Sequence, residues 1–297
     1  MKSLVYLMRT TIKNRILELK KHPTKLILVL FLIVMFGFAV VTSLFAAPPE
    51  AKSYRPIAEL CAIILGLYAL IFGVGAFQGL SSGSSFFTVA DVQLVFPSPI
   101  SPRRVLLYGL IKQISVSLYV GFFILYQFSW VHNSYGISFL SLLMILFGYG
   151  ICMFTSQLTA MTIYVFTSHN ERSKNAVKIG FYAVLAFFLL YILSPVLTST
   201  TDILGPVANS ANSFLASLLP VAGWIKAAVV GCISGNFRMA LAGFAATGLF
   251  IWVLLFAIMK AHSDFYEDVL QATEVSQSAI TAKKEGNFEG IYPQNMK

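Results

Sequence analysis

Six long apolar runs, 26–47, 57–80, 104–130, 137–166, 177–197 and 239–260, alternate with shorter polar stretches along the chain. Crossing a hydrocarbon core of about 30 Å takes about 20 apolar residues in a helix. Each run meets that length, so the pattern predicts six transmembrane helices. A transmembrane barrel would instead alternate apolar and polar positions in segments of about ten residues. The fold class expected is therefore an all-α integral membrane protein.

The stretches between the runs have patterns of their own. In residues 1–25, Val5, Met8, Ile12, Ile16 and Leu19 fall within about 80° of one another on a helical wheel. Lys2, Arg9, Lys13 and Lys20 occupy an adjacent arc. An apolar stripe beside a basic one describes a helix lying in the membrane interface. Pro23 ends it, and the run that follows exceeds the apolar core of a signal peptide, so it is expected to be retained as the first span. The chain thus divides into an interfacial helix (1–25), a six-helix membrane domain (26–260) and a cytoplasmic helix with a tail (261–297).

Between the second and third runs lies "SSFFTVADVQLVFPSPISPRR", residues 84–104. Thr88 and Asp91 have capping-box spacing and start a short helix. Val89, Val92, Val95 and Phe96 give it one apolar edge, and Pro97 forbids its continuation. Ser101 and Pro102 then suit the N-cap and first position of the third span. Arg103 and Arg104 at a helix N-terminus oppose the helix dipole, so local helix stability does not account for them. Lipid phosphate, the positive-inside bias or an acidic partner would account for the basic pair, and the apolar edge asks for a partner surface.

Between the fifth and sixth runs, residues 198–212 read as a polar loop. "SFLASLLPVAGWIKAAVVGCISGNF" is apolar but interrupted by Pro220, Gly223, Gly231 and Gly235. Irregular backbone survives at membrane depth only inside protein or along a cavity. Two short re-entrant helices are expected, with Trp224 near the interface. The second run carries Gly66, Gly73, Gly75 and Gly79. The Gly75/Gly79 spacing predicts close helix packing within the bundle.

Composition and charge orient this picture. The chain is 57% hydrophobic and 11% charged, with 21 Lys+Arg against 12 Asp+Glu and a net charge of +9. With six spans and a cytoplasmic N-terminus, 17 of the 21 basic residues fall on the inner side. Lys52, Arg55, Lys226 and Arg238 do not. This positive-inside bias places both termini in the cytoplasm and accounts for the net charge without nucleic acid. A seventh span in the interrupted segment would spoil it. Cys61, Cys152 and Cys232 are isolated, as are the four histidines, so neither a disulfide framework nor a metal site is expected.

The chemistry that is missing narrows the function. The sequence contains no GxxxxGK[ST] phosphate loop and no HExxH, so this chain is not expected to be an enzyme. The spans hold almost no acids, against a proton- or sodium-coupled carrier. Lys112 sits about ten residues into the third span, beside Gln113, and is expected to snorkel inward. Ser115, Ser117, Gln127, Thr155, Ser156, Gln157, Thr159 and Thr162 read mainly as interhelical glue. Gln113, Gln127, Thr155 and Gln157 are the candidates to face a substrate pathway.

An interfacial helix, six spans, a short helix between spans two and three and paired re-entrant helices resemble the permeases of type-2 ABC exporters. "SFFTVADVQLVFPSPISPRRVLLYGLIKQ" is similar to the signature of the putative ABC exporter family. Asp91, Leu94, Phe96, Ser98, Pro99, Arg103, Leu106 and Leu107 match it, with Val95 separating Leu94 from Phe96. "LLPVAGWIKAA" is similar to the segment before the last span of such permeases. The resemblance implies that the 84–104 loop is a coupling helix seated on a separate ABC ATPase subunit. Thr88, Asp91, Val92, Val95, Phe96, Pro97, Pro99, Arg103 and Arg104 would carry that coupling, with ATP and Mg in the partner and no cofactor in this chain. It implies an interfacial elbow helix and a re-entrant gate around Pro220, Gly223 and Trp224. A second copy or homologous permease half would complete an exporter of a peptide- or lipid-like substrate in a bacterial plasma membrane. A non-transporting scaffold or assembly protein related to such permeases is the alternative.

Overall fold

The computed structural model describes residues 23–45, 54–80, 123–167, 170–197 and 204–260, with isolated positions in 6–21 and at 105, 108, 109 and 121. The described residues form helices joined by short turns. The helices are α1 (Pro23–Phe45), α2 (Ile57–Gln78), α3 (Phe128–Tyr135), α4 (Phe139–Thr167) and α5 (Glu171–Leu193), followed by α6 (Leu204–Ala211), α7 (Phe214–Ser217), α8 (Ala222–Ser234) and α9 (Phe237–Lys260). Of these, α2, α4, α5 and α9 are long and apolar enough to cross a membrane. This is a membrane protein with multiple spanning helices. At 29 residues, α4 would be about 43 Å long, more than the hydrocarbon needs.

Two compact units make up the chain: 1–69, 115–152 and 190–246 form one, and 70–114, 153–189 and 247–297 the other. In the first, α1 runs beside α3. The Tyr68 hydroxyl of α2 donates to the Ile145 carbonyl of α4 at 2.7 Å. The Cys152 thiol of α4 donates back to the Tyr68 carbonyl at 3.3 Å. Both are bonds between a side chain and helix backbone, the polar glue open to helices that share an apolar setting. A Cβ on Gly148 would meet the Tyr68 hydroxyl and Val229, so glycine there lets α4 come close.

The α3–α4 turn is built from its sequence. Gly136 takes φ +69° and its N–H donates to the His132 carbonyl at 2.9 Å, ending α3. Two residues on, the Ser138 hydroxyl accepts from the Ser141 N–H at 3.2 Å at the start of α4. The lead into α2 is pinned to the end of α3: the Arg55 N–H donates to the Ser134 carbonyl at 2.9 Å. At the other end of this unit's sequence, Gly235 (φ 73°) closes α8, and the Asn236 side chain accepts from the Met239 N–H at 3.2 Å to open α9. A Cβ on Gly231 would fall 2.5 Å from the Ala240 nitrogen, so α8 and α9 touch backbone to backbone.

In the second unit, the Ser156 hydroxyl of α4 donates to the Ile71 and Phe72 carbonyls of α2 at 3.3 and 3.1 Å. Gly75 faces Ser156 and Gly79 faces the Ala160 backbone. The GxxxG pair therefore packs α2 onto α4 inside the chain, as expected. Phe77 meets Phe181 and Tyr182 of α5, with ring centroids 6.2 and 5.8 Å apart. No residue of α5 is buried.

Two features differ from the sequence expectations. The fifth apolar run, expected at 177–197, is α-helical from Glu171 to Leu193 and continues as a 3₁₀ turn over Ser194–Leu197. Pro195 has no N–H to extend an α-helix. Residues 204–211, expected as loop, are helical. Pro206 falls in the first turn, where the N–H has no intrahelical partner. The interrupted segment contains two short helices as expected, α7 and α8, and α6 precedes them. The 84–104 stretch, most of 1–22 and all of 261–297 lie outside the described residues.

Candidate functional site: the helical hairpin before the last span

α6, α7 and α8 fold into a hairpin anchored on the N-terminal end of α2. Asn212, just past α6, donates from Nδ2 to the Ala58 carbonyl of α2 at 2.8 Å and to the Ala208 carbonyl at 2.7 Å. Ser213 then caps α7 by accepting from the Ala216 N–H at 3.2 Å, the role a serine N-cap performs. The Tyr191 hydroxyl donates to the Ser213 oxygen at 2.9 Å, tying the cap to the end of α5.

The elbow between α7 and α8 is tight and strained. Val221 has φ 63° and ψ −62°, and the Ala222 N–H donates across it to the Pro220 carbonyl at 2.7 Å. This is a γ-turn of the rare, strained hand. A β-branched residue at positive φ is an outlier, costing on the order of 1–3 kcal/mol unless its surroundings hold it. Those surroundings are present. Val221 is fully buried, and its carbonyl accepts from the Ile225 N–H at 2.9 Å to begin α8. Gly223 completes the elbow. A Cβ there would stand 2.6 Å from the Ala216 carbonyl oxygen and 2.7 Å from that of Ser217.

Lys226 lies one turn into α8 and is 2% exposed. Its Nζ donates to the Ala211 carbonyl at the end of α6, 3.1 Å away. The 13 residues of α8 extend only about 20 Å, too short to span. Burial pushes the Lys226 ammonium below its ordinary range, opposed by the field of the Cys61 thiol on α2. Cys61 stands three residues from Ala58 on the same face of α2 and is buried.

Of the residues singled out from sequence, Pro220, Gly223 and Trp224 are thus brought together at one elbow. Gln127 sits at the turn before α3 in the first unit. Thr155 and Gln157 lie in the second unit, both buried on α4, and Gln157 Oε1 meets no hydrogen-bond partner among the described residues. Thr88, Asp91, Val92, Val95, Phe96, Pro97, Pro99, Arg103, Arg104 and Gln113 lie outside the described residues. Sequence reading missed Asn212, Val221 and Lys226 as parts of the site. Lys226 had a signal: it is the single charge in the apolar stretch 213–234. No pattern announces a valine at positive φ.

Compared with known proteins, a family model described as "Putative ABC exporter" matches residues 1–297, the whole chain. No curated protein and no solved structure matches it.

Proposed function

This chain belongs to the putative ABC exporter family, and we propose that it is the membrane-embedded permease subunit of an ATP-driven exporter. The whole-chain family match is the observation that carries this reading. The four helices long and apolar enough to cross a membrane are in keeping with it. Under this proposal the chain has six spans with both termini in the cytoplasm of a bacterial cell. A separate ABC ATPase subunit binds ATP and Mg, because this sequence has no phosphate loop of its own. The 84–104 loop is the coupling helix, its Val92/Val95/Phe96 edge and Arg103/Arg104 pair meeting that subunit.

The proposal assigns the α6–α8 hairpin to the outer end of the pathway, where Pro220, Gly223 and Trp224 form a hinged closure. The exported substrate is peptide- or lipid-like. A second six-helix unit completes the pathway, and α5 is the described spanning helix with most side-chain surface left for such a neighbour. Affinity purification of the tagged chain from native membranes, with mass spectrometry of what comes with it, tests this. A stoichiometric soluble protein with Walker A and Walker B motifs is the expected partner. Reproducible recovery of the chain with no ATPase overturns the exporter reading.

A further inference from the structure

Among the described residues, the Lys226 side chain is a charge buried without a counter-ion. An ammonium carries three donors, and among the described residues Lys226 makes one hydrogen bond, to the neutral Ala211 carbonyl. The elements packed against it offer little else. α6 contains no ionisable residue, and α8 contains none besides Lys226 itself. α2 contributes Cys61, a thiol, and Glu59, which is already paired with Arg55 at 3.8 Å. Glu59 is also the single acid among the described residues of this unit.

Such a burial works against stability. Taking a lone charge out of water costs several kcal/mol in effect, and one carbonyl dipole returns only about 1.5–3 kcal/mol. Methionine has nearly the same volume and would fill the space without that cost. The hairpin carries a second unfavourable feature five residues away, the γ-turn at Val221. Strained backbone and buried charge cluster at ligand-binding sites, where contacts with a ligand offset their cost.

We propose that Lys226 is an anion-recognition site within the hairpin, binding the phosphate or carboxylate group of an amphiphilic ligand in place of the Ala211 carbonyl. The amphiphilic body is argued from the same element. Phe214, Leu215 and Leu218 around α7 expose 78%, 44% and 47% of their surface, leaving apolar surface on the same hairpin for an acyl chain. Access is through the elbow, where α8 swings on Pro220–Gly223. The inference deepens the exporter reading by naming a substrate class, and it rests on that reading only for the assignment of the ligand as cargo.

The test uses the full-length chain purified in dodecyl maltoside. Melting temperature is followed against rising dodecyl phosphate, and separately against inorganic phosphate, for the native chain, Lys226→Met and Lys226→Arg. Without anion, Lys226→Met is expected to melt above the native chain. Dodecyl phosphate is expected to raise the native melting temperature in a saturable way, with the midpoint moved at least tenfold higher in Lys226→Met and kept within a few-fold in Lys226→Arg. A response to inorganic phosphate alone assigns the site to a free anion. A response confined to dodecyl phosphate assigns it to the amphiphile. Either supports anion recognition. The proposal is overturned by a Lys226→Met chain that melts lower, fails to accumulate folded, or answers dodecyl phosphate at the native midpoint. ATPase co-purification is scored on the same preparations. A native chain that shows no anion response but retains the ATPase removes this site and leaves the exporter; a native chain with the response but no ATPase removes the exporter and leaves the site.

Discussion

Gly79 and Ala160 touch backbone to backbone: a Cβ at residue 79 would stand 2.7 Å from both the carbonyl carbon and the Cα of Ala160. The contact sets how closely the ends of α2 and α4 approach in the second unit. Gly79→Ala is expected to force the helices apart and destabilise the chain by about 1–3 kcal/mol, the usual range for overpacking. Thermal unfolding in detergent measures this. Gly66→Ala is the control, since nothing lies within 4 Å of a Cβ there, and its melting temperature should be unchanged or slightly raised.

Tyr68 and Ile145 hold the same two helices in the first unit through the 2.7 Å hydroxyl–carbonyl bond. Tyr68→Phe deletes that bond and leaves the ring in place. Interhelical hydrogen bonds in membrane bundles average about 0.6 kcal/mol, with a maximum of about 1.7 kcal/mol. A small, reproducible fall in melting temperature is expected, and a fall as large as that of Gly79→Ala would contradict this account.

The hairpin depends on a missing side chain at position 223. Gly223→Ala places a methyl group against the Ala216 and Ser217 carbonyls, which are backbone and cannot rotate away. Limited proteolysis of the reconstituted chain should find new cleavage within 204–236, with loss of stability of about 1–3 kcal/mol. An unchanged digest would show that the elbow tolerates opening.

Lys226 gives a pH dependence with a definite sign. Burial lowers its pKa from 10.5, so the unfolded chain holds this proton more tightly than the folded one. Stability then rises with pH. Below the lowered folded pKa the burial cost is present in full. Between that value and 10.5 the folded lysine sheds its proton first and the cost fades. The melting-temperature advantage of Lys226→Met over the native chain should shrink between neutral pH and pH 10, read on the two chains side by side.

Coupling to the ATPase is tested on the 84–104 loop. Arg103→Glu combined with Arg104→Glu is expected to reduce ATPase co-purification at least tenfold while leaving the chain in the membrane fraction. Equal recovery of the ATPase would remove these arginines from the proposed interface.

The spanning helices were legible because a membrane imposes one crude requirement, some 20 apolar residues in succession, and α2, α4, α5 and α9 meet it within a few residues of the expected edges except at the start of α5. That start was missed because Glu171, Arg172, Lys174 and Lys178 interrupt the apolar run while remaining good helix formers. The elbow glycine, proline and tryptophan were also legible, since their types punctuate an apolar segment. α6 was not, because "LGPVANSA" is polar enough to read as loop and becomes helical with Asn212 and Lys226 bonding at its end.

By itself, the sequence determined the class of the protein, its family and the close approach of α2 to α4, because hydrophobic run length, a short signature motif and glycine spacing are all local properties. Only the tertiary structure decided that Val221 is held at positive φ and that Asn212 reaches Ala58, 154 positions away in the chain. Likewise, only the structure showed that Lys226 is enclosed beside Ala211 and Cys61. Those features arise where separate segments converge, and the cost of a buried charge or a strained turn is set by what surrounds it.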